Sequence, residues 1–250
     1  MMDNRRSTGS NAEVREAVDG ERHQRLLRLL AERAHGERPA WARLVCEVAV
    51  THLGVDGAAI SLRTSGRAQE LVADTGTWAR GLEELQYTLG EGPAVEAFGT
   101  AGPVLVSDLS DAGARWPGFV DSAGAHGLCA VFALPIQGGA VRLGTLCLYR
   151  RRPRGLSPEE LGDAAVLSDL ATSALLTDVK ANTASWTQAE LPGHYDDVNI
   201  ATGMLAAELR ISIADAFLRL RAHAFGTGSP LLEVARAVLT RQLGAHAFQE

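Results

Sequence analysis

The chain has 250 residues, which is enough for one or two domains, and 46% of them are hydrophobic, an ordinary share for a globular protein. With 30 acidic and 24 basic residues, its formal net charge at pH 7 is -6. This charge excludes general attraction to nucleic acids or to membrane surfaces, because binding to phosphate requires a local excess of lysine and arginine. Contact with RNA would therefore depend on a basic patch or on shape.

The first 25 residues are polar and mixed in charge, without the apolar core that a signal peptide requires. An uncharged run at 122–141 contains a proline, a glutamine and four glycines, which favours a buried strand over a transmembrane helix. We therefore expect a cytoplasmic protein that does not bind membranes, with a flexible tail over residues 1–24.

The chain has three cysteines, Cys46, Cys129 and Cys147, which cannot all pair and show no C-x-x-C spacing. They lie in apolar helical or strand-like runs, which indicates buried, reduced, structural thiols. No group of cysteine and histidine has the spacing of metal ligands. We predict no metal site and no cofactor.

Helical and strand-like patterns follow each other over the first two thirds of the chain. Apolar spacing predicts helices at 21–34, 40–53 and 78–85 and from Pro93, and strands at 58–63, 70–74 and 102–109. Two β-rich runs, 129–136 and 142–149, are joined through a Gly-Gly turn and predict a hairpin. Ser157-Pro-Glu-Glu160 has the residues that begin a helix. This order predicts an α+β sheet domain.

Three segments of this region carry a family resemblance: L-Q-Y-T-L-G-E-G-P-A-V-E-A at 85–97, R-W-P-G-F at 115–119, and F-A-L-P-I followed by R-L-G-T-L-C-L-Y-R at 132–150. They resemble the sensory GAF domain of actinobacterial proteins that pair GAF with ANTAR. The resemblance covers residues 25–180 and implies a GAF-like antiparallel sheet with flanking helices. Where the family often has a cysteine after the G-E-G-P turn, this chain has Ala94, which excludes thiol sensing at that position.

GAF domains are ligand-binding folds, so the resemblance leaves open an unidentified small-molecule ligand. Four aromatic residues are candidates for lining its pocket: Trp78, Tyr87, Trp116 and Phe119. Each of them fits a hydrophobic core equally well. The G-E-G-P turn at 90–93 lacks the Lys-Ser or Lys-Thr ending of a phosphate-binding loop, so a structural turn is favoured.

The long helix that begins at Pro158 places several small and apolar residues near one seam: Leu161, Ala165, Leu167 or Ser168, Leu170, Ala174 and Leu175. By resemblance to the family, this is a signalling helix that forms a homodimer. Leu191-Pro192-Gly193 then breaks the chain, which predicts a linker over 181–195.

Three short helices are predicted after the linker. Ser212 and Asp215 have the spacing of a capping box, Ser229 and Pro230 can begin the third helix, and Gly226 and Gly228 can end the second. Apolar stripes run along the second helix (Ile213, Phe217, Leu220, Ala224) and the third (Leu231, Val234, Ala235, Val238). In the first helix, Gly203 suggests a close contact with another helix.

Three motifs in this region resemble the ANTAR domain, the small three-helix RNA-binding module of transcription antitermination regulators: A-T-G-M-L, S-x-x-D-A-F-x-x-L-R-x-x-A and S-P-L-x-x-V-A-x-x-V. The resemblance places an ANTAR domain at 196–250 and implies binding to hairpin loops of leader RNA. Candidate RNA-binding residues are Gly203, Met204, Arg210, Arg219, Arg221, His223, Arg236 and Arg241. Thr202 stands where the family commonly has lysine, and Arg210 where many members have glycine.

The charge of this segment does not itself predict RNA binding, because five arginines face six carboxylates. At about 100° per residue, Arg219 and Arg221 lie about 160° apart on their helix, so a basic patch must combine different helices or two copies. Phe217 fits the core stripe, whereas His223 and Phe225 lie off it.

The sequence therefore predicts a signal-responsive antitermination regulator and not an enzyme, with RNA and no DNA as its nucleic acid. Its GAF domain would sense a ligand or partner and shift the population of conformations in which paired ANTAR domains are presented. One alternative is a protein-interaction module without RNA binding. A second is a thiol-dependent GAF-fold reductase, which would need exposed reactive cysteines.

Overall fold

The computed structural model describes residues 6–34, 41–63, 69–182 and 194–249. The helices are α1 (Arg6–Arg33), α2 (Trp41–Leu53), α3 (Thr77–Leu89), α4 (Pro93–Thr100), α5 (Pro117–Ala125), α6 (Pro158–Asn182), α7 (Asp196–Leu209), α8 (Ile213–Thr227) and α9 (Leu231–Leu239). The strands are β1 (Gly57–Arg63), β2 (Gln69–Asp74), β3 (Val104–Val106), β4 (Ala130–Gly138) and β5 (Val141–Arg150). Short 3-10 turns occupy Leu109–Ala112 and Ala245–Phe248. Within the described ranges, no helix is long and apolar enough to cross a lipid bilayer.

The five strands form one antiparallel sheet in the order β2-β1-β5-β4-β3. The predicted hairpin is confirmed, because β4 pairs with β5 from Ala130 opposite Arg150 to Gly138 opposite Val141. Gly144 is required where β5 crosses β1, since a Cβ there would overlap with the carbonyl oxygen of Ser61. The sheet with flanking helices agrees with the α+β class predicted from the sequence.

Helices cover both faces of the sheet, which creates two hydrophobic cores. Side chains alternate along each strand, so that Ala58 and Ile60 face one core while Ala59 and Cys147 face the other. The first core is closed by α1, α2 and α6. The second is closed by α3, α4 and α5 and is continuous with the core of α7, α8 and α9. We call α1 to α6 with the strands the sheet domain, and residues 194–249 the C-terminal helical region.

Helix α1 begins at Arg6, so it includes most of the segment that was expected to be a flexible tail over 1–24. The polar, mixed-charge composition suggested a tail, but alanine, glutamate and arginine, which favour helices, make up 8 of the 19 residues from 6 to 24. Further along α1, Arg22 and Arg25 bind the carboxylate of Asp163 in α6 at 2.9 and 2.7 Å. His52 of α2 reaches the same carboxylate at 2.8 Å, so Asp163 joins three helices.

Helix α6 packs within its own chain along much of the seam that was expected to mediate a dimer. Leu167, Leu170 and Ala171 are buried against the sheet and α2, whereas Ala165 is exposed. The helix begins with a full capping box, in which Ser157 and Glu160 each accept a hydrogen bond from the other's backbone N-H. Most of the predicted linker, residues 183–193, lies outside the described residues, as does the break at 191–193.

The C-terminal helical region contains the three predicted helices, packed on a shared core of Val198, Ala201, Leu205, Ala216, Leu220, Ala224, Leu231, Val234, Ala235 and Val238. Ser212 begins α8 as expected, accepting a hydrogen bond from Asp215 N at 3.0 Å. The Asp215 carboxylate, however, accepts from the Ser212 hydroxyl rather than from a backbone N-H. Gly228, in the left-handed conformation, ends α8.

Three expectations for this region are wrong. Pro230 is the residue before α9 instead of its first residue, and Ser229 makes no cap, so the helix begins at Leu231. Ile213 is 59% exposed because it lies in the first turn of α8, beyond the reach of α7 and α9. Gly203 is not a site of close helix contact, since a Cβ there would have no neighbour within 4 Å.

Candidate functional site between the sheet domain and the C-terminal helices

The C-terminal helical region docks on the sheet domain through aromatic rings. Tyr87 of α3 lies 4.3 Å from the ring of Tyr195 and 5.4 Å from the ring of Phe217 in α8, measured between centroids. All three side chains are buried. Polar contacts surround them: Arg221 Nε donates to the carbonyl oxygen of Thr88 at 2.6 Å, and His194 Nε2 lies 2.9 Å from Glu84 Oε1. The two parts of the chain are therefore joined by buried aromatic rings and by the polar contacts around them.

A cavity of about 620 Å³ lies at this contact, and we call it the junction cavity. The sheet domain supplies residues from the end of β1, from α3 and its C-terminal end, and from α4, whereas the opposite wall belongs to α8. The described lining residues are Arg63, Gln86, Tyr87, Leu89, Gly90, Val95, Phe98, Gly99, Phe217, Leu218 and Arg221. Two of them are arginines and none is a carboxylate, so the lining is cationic and largely apolar.

Several buried polar atoms at or beside the junction cavity have no hydrogen-bond partner among the described residues. They are Nε and Nη2 of Arg63, the hydroxyl oxygens of Tyr87 and Tyr195, and both amide atoms of Gln69. Arg63 and Gln69 are opposite each other in the β1–β2 ladder. Leaving a buried polar group unpaired costs about 1–3 kcal/mol. Such a concentration of unpaired groups is typical of a ligand site rather than of a core.

Burial lowers the pKa of the Arg63 guanidinium, and the nearby Glu83 carboxylate acts in the opposite direction. Burial also raises the pKa of the Tyr87 and Tyr195 hydroxyls, so both are neutral donors at physiological pH. The site thus presents a poorly solvated cation beside two neutral hydroxyl groups. An anion is the partner that would compensate Arg63 for its missing solvation.

A buried hydrogen-bond network lies next to the junction cavity. The Glu83 carboxyl, which is fully buried, accepts hydrogen bonds from Ser61 Oγ at 2.6 Å and from Tyr149 Oη at 2.5 Å. Gln86 donates to Tyr149 Oη at 3.1 Å and accepts from the backbone N-H of Ala94 at 2.7 Å. This network fixes α3 against the sheet and against the start of α4, so the walls of the cavity are held in place.

The G-E-G-P segment is a structural turn that joins α3 to α4. Gly90 ends α3 with φ of 67°, Gly92 precedes α4 with φ of 122°, and Pro93 is its first residue. Glu91 accepts a hydrogen bond from the backbone N-H of Phe119 at 2.8 Å. A Cβ on Gly90 would overlap with the guanidinium of Arg221, so this glycine lets α8 approach the turn.

The four aromatic candidates lie in different surroundings. Tyr87 lines the junction cavity. Trp116 and Phe119 are instead buried edge to face beside α5, with ring centroids 6.4 Å apart. Trp78 donates from Nε1 to the carbonyl oxygen of His126 at 2.8 Å and lies beneath the guanidinium of Arg151. None of these three residues lines the junction cavity, and the residues at the cavity that sequence reasoning missed include Arg63, Gln86 and Phe98.

Three of the candidate RNA-binding arginines make contacts within the chain. Arg221 faces the sheet domain, Arg219 binds the carbonyl oxygen of Phe248, and Arg236 pairs with Asp197 at 2.9 Å. The other candidates are distributed as follows: Arg210 and Arg241 are exposed at the ends of α7 and α9, His223 lies 4.9 Å from the ring of Phe248, and Gly203 and Met204 are half-buried in α7. Thr202 is buried and donates to Val198 O, so a lysine there would lose its solvation.

The three cysteines differ in burial. Cys46 and Cys147 are fully buried, and burial raises the pKa of both thiols. Cys129 is half-buried, which is more exposure than its strand-like run suggested. In the described parts of the chain, no three histidine, cysteine, aspartate or glutamate side chains form a group that could hold a metal ion.

The GAF domain family model matches residues 39–176, more than half of the chain. The chain belongs to the GAF domain family. The match spans α2, β1 to β5 and most of α6, so the GAF domain is the sheet domain without α1, which precedes the match. GAF domains are sensing modules of signalling proteins. In this GAF domain, α8 covers the side on which the junction cavity lies.

Solved structures agree with this fold. The GAF domain from a phosphoenolpyruvate-protein phosphotransferase of Coxiella burnetii is 16% identical, with a TM-score of 0.52 over 66% of this chain and 98% of that chain. The GAF domain from the corresponding Acinetobacter phosphotransferase is 11% identical, with a TM-score of 0.50 over 69% of this chain and 98% of that chain. A comparison with curated proteins finds no match.

Proposed function

We propose that the chain is a cytoplasmic, signal-responsive regulator in which the GAF domain senses a ligand or partner and the C-terminal helical region acts as an ANTAR domain. The ANTAR domain binds hairpin loops of leader RNA and prevents formation of the terminator. Support comes from the order of the three motifs, because A-T-G-M-L lies on α7, the second motif on α8 and the third on α9. Three mutually packed helices also agree with the fold that the resemblance implies.

The observation that carries the proposal is the docking of α8 on the sensing domain. Phe217 and Arg221 of α8 contact Tyr87 and Thr88 of α3, and both line the junction cavity. A change in the GAF domain at this position alters the surroundings of an effector helix directly. Sensing and output are therefore coupled through contact and need no long-range pathway.

The RNA surface that fits this arrangement is formed by the side chains that docking leaves in solvent. Arg210 and Arg241 are exposed, and Arg236 keeps 60% of its side chain exposed despite its pair with Asp197. Arg219 and Arg221 serve the protein's own contacts in the docked state. The proposal therefore assigns phosphate contact to Arg210, Arg236 and Arg241.

A salt-titrated binding assay tests the proposal with the full chain, a paired-loop hairpin RNA and a scrambled hairpin. We expect preference for the paired loops, and the double substitution Arg210→Ala with Arg241→Ala should weaken binding and lower the salt slope by about one unit for each phosphate that the variant no longer binds. Arg152→Ala removes an exposed arginine from the GAF domain and is the matched control. Equal affinity for both hairpins, or no binding at any salt concentration, would contradict RNA recognition.

A second candidate function is that of a protein-interaction module without RNA binding. It is favoured by exposed apolar side chains on the C-terminal helical region, since Leu218, Phe225 and Ile213 are between 57% and 59% exposed. The same assay separates the two functions. Phe225→Ser should leave RNA affinity unchanged under the first proposal, whereas loss of a protein partner without any RNA binding favours the second.

A reductase function has no support from the thiols, because burial disfavours the thiolate of Cys46 and Cys147. We accordingly propose no catalytic role. A homodimer remains a proposal, and it would use surface other than the buried Leu167 and Leu170 of α6. A molecular mass in solution that corresponds to a monomer at working concentration would contradict the homodimer.

A further inference from the structure

We propose that the junction cavity binds a small organic anion, with a carboxylate or phosphate head on an apolar body of about the size of one aromatic ring, and that this anion fastens α8 to the GAF domain. The inference deepens the proposed function and rests on it for the link to RNA. The ligand class and the effect on α8 follow from the cavity itself.

The charge of the cavity selects an anion. Arg63 and Arg221 both line it, and no carboxylate is among the described lining residues. The nearest buried acid, Glu83, is already engaged by the hydroxyls of Ser61 and Tyr149. Two nitrogens of Arg63, Nε and Nη2, are buried without a partner among the described residues, so the guanidinium at the cavity wall keeps an uncompensated charge. Once the Arg63 side chain turns toward the cavity, the planar guanidinium matches carboxylate or phosphate oxygens.

The other residues that line the cavity favour an apolar body on the bound anion. Phe98 and Val95 of α4, Leu89 of α3, and Phe217 and Leu218 of α8 provide apolar walls. The volume of about 620 Å³ lies within the range of small-molecule sites, which is about 300–1,000 Å³. An inorganic ion would leave most of these apolar walls without contact.

The cavity is composite, which gives the anion its effect. Arg63 and Tyr87 belong to the GAF domain, whereas Phe217, Leu218 and Arg221 belong to α8. A negative charge held between Arg63 and Arg221 is attracted to both parts of the chain, and the apolar body adds contact with both walls. The anion therefore binds the docked arrangement more tightly than an undocked one, and by linkage it increases the docked population.

The ligand class is tested by calorimetry and thermal unfolding of the full chain with matched probes. The probes are phenylacetate, phenyl phosphate, neutral phenylacetamide and inorganic phosphate. We expect at least one aromatic anion to bind, and neither phenylacetamide nor inorganic phosphate to do so at the same concentration. The two aromatic anions distinguish a carboxylate from a phosphate ligand. Equal binding of phenylacetamide, or no binding by either aromatic anion, would overturn the inference.

Variants locate the site. Arg63→Gln should weaken the bound aromatic anion by about tenfold or more, the effect expected on removing a charged hydrogen-bond donor. Arg63→Lys keeps the charge without the planar fork and should retain part of the affinity. Arg152→Gln, at an exposed arginine away from the cavity lining, is the control. Unchanged affinity in Arg63→Gln would place the probe elsewhere and refute the assignment.

The coupling to α8 is tested by hydrogen exchange of the backbone amides at 213–227. The aromatic anion should slow their exchange in the wild-type chain. Gly90→Ala places a Cβ on the guanidinium of Arg221, so exchange of α8 should be faster and the effect of the anion reduced. Gly54→Ala imposes the same left-handed strain, at φ of 60°, where nothing lies within 4 Å, and separates strain from weakened docking. Identical exchange in the two variants would contradict the coupling.

Failure of this inference and failure of the proposed function are distinguishable. If the chain prefers paired-loop RNA but the aromatic anions do not bind, the function stands and the anion site is wrong. If the anions bind and slow exchange in α8 but no hairpin is bound, the site stands and the output is not RNA.

Discussion

Removing one hydroxyl group should have opposite effects on stability at two buried tyrosines. Tyr195 is 1% exposed and its hydroxyl has no partner among the described residues. Its ring lies 4.3 Å from that of Tyr87, a contact that phenylalanine would keep. Since an unpaired buried hydroxyl costs about 1–3 kcal/mol, Tyr195→Phe should raise the free energy of unfolding by about that amount.

Tyr149 is the matched case with a satisfied hydroxyl. It donates to Glu83 Oε1 at 2.5 Å and accepts from Gln86 Nε2 at 3.1 Å, in a fully buried position. Tyr149→Phe leaves both partners without this hydrogen bond and should lower the free energy of unfolding by about 1–3 kcal/mol. The two variants should therefore differ by at least about 2 kcal/mol, although the atom removed is the same.

Urea unfolding followed by circular dichroism measures the difference, with the midpoint shifting at constant slope. A midpoint that moves in the same direction for both variants would refute the reasoning. A destabilised Tyr195→Phe would show that the Tyr195 hydroxyl is well solvated or paired in the folded protein.

Three further outcomes follow from single contacts. Gly144→Ala should prevent folding or lower the free energy of unfolding by more than about 3 kcal/mol, because its Cβ overlaps with Ser61 O. Gly124→Ala lies inside α5 with open space around it and should raise the free energy of unfolding by about 0.5–1 kcal/mol. Soluble yield and thermal unfolding compare the two variants. Asp163→Asn should cost about 1–3 kcal/mol and expose α1 to limited proteolysis, whereas Glu47→Gln, whose pair with Arg43 is exposed, should change stability by less than about 0.5 kcal/mol. A thiol reagent should label Cys129 in the native protein well before the buried Cys46 and Cys147, and labelling of all three at one rate would contradict their burial.

Local patterns predicted the elements of the fold but not their ends. Strand-like runs at 58–63 and 142–149 correspond closely to β1 and β5, because alternation and turn residues are local signals. The start of α1 was missed, since its first part lacks an apolar stripe and Arg22 and Arg25 find their partner 138 to 141 residues away. Contacts between residues so far apart in the chain cannot be predicted from a short stretch of sequence.

The candidate site was harder to predict because it is built from two distant parts of the chain. Tyr87 was a candidate through its aromatic ring, but Arg63 looks like an ordinary end of a strand until the fold buries it. Arg221 was a candidate for contact with RNA. Its bond to Thr88, 133 residues earlier, follows only from the docking of α8.

The bond between Arg221 and Thr88 also affects how the C-terminal helical region should be studied. A guanidinium that donates to Thr88 O cannot at the same time use that nitrogen for another molecule. A partner outside the junction cavity that recruits Arg221 requires separation from the GAF domain, and its apparent affinity is reduced in proportion to the fraction of chains that are undocked. Residues 194–249 on their own would therefore bind such a partner more tightly than the whole chain does, and the ratio of the two affinities would measure the free energy of docking.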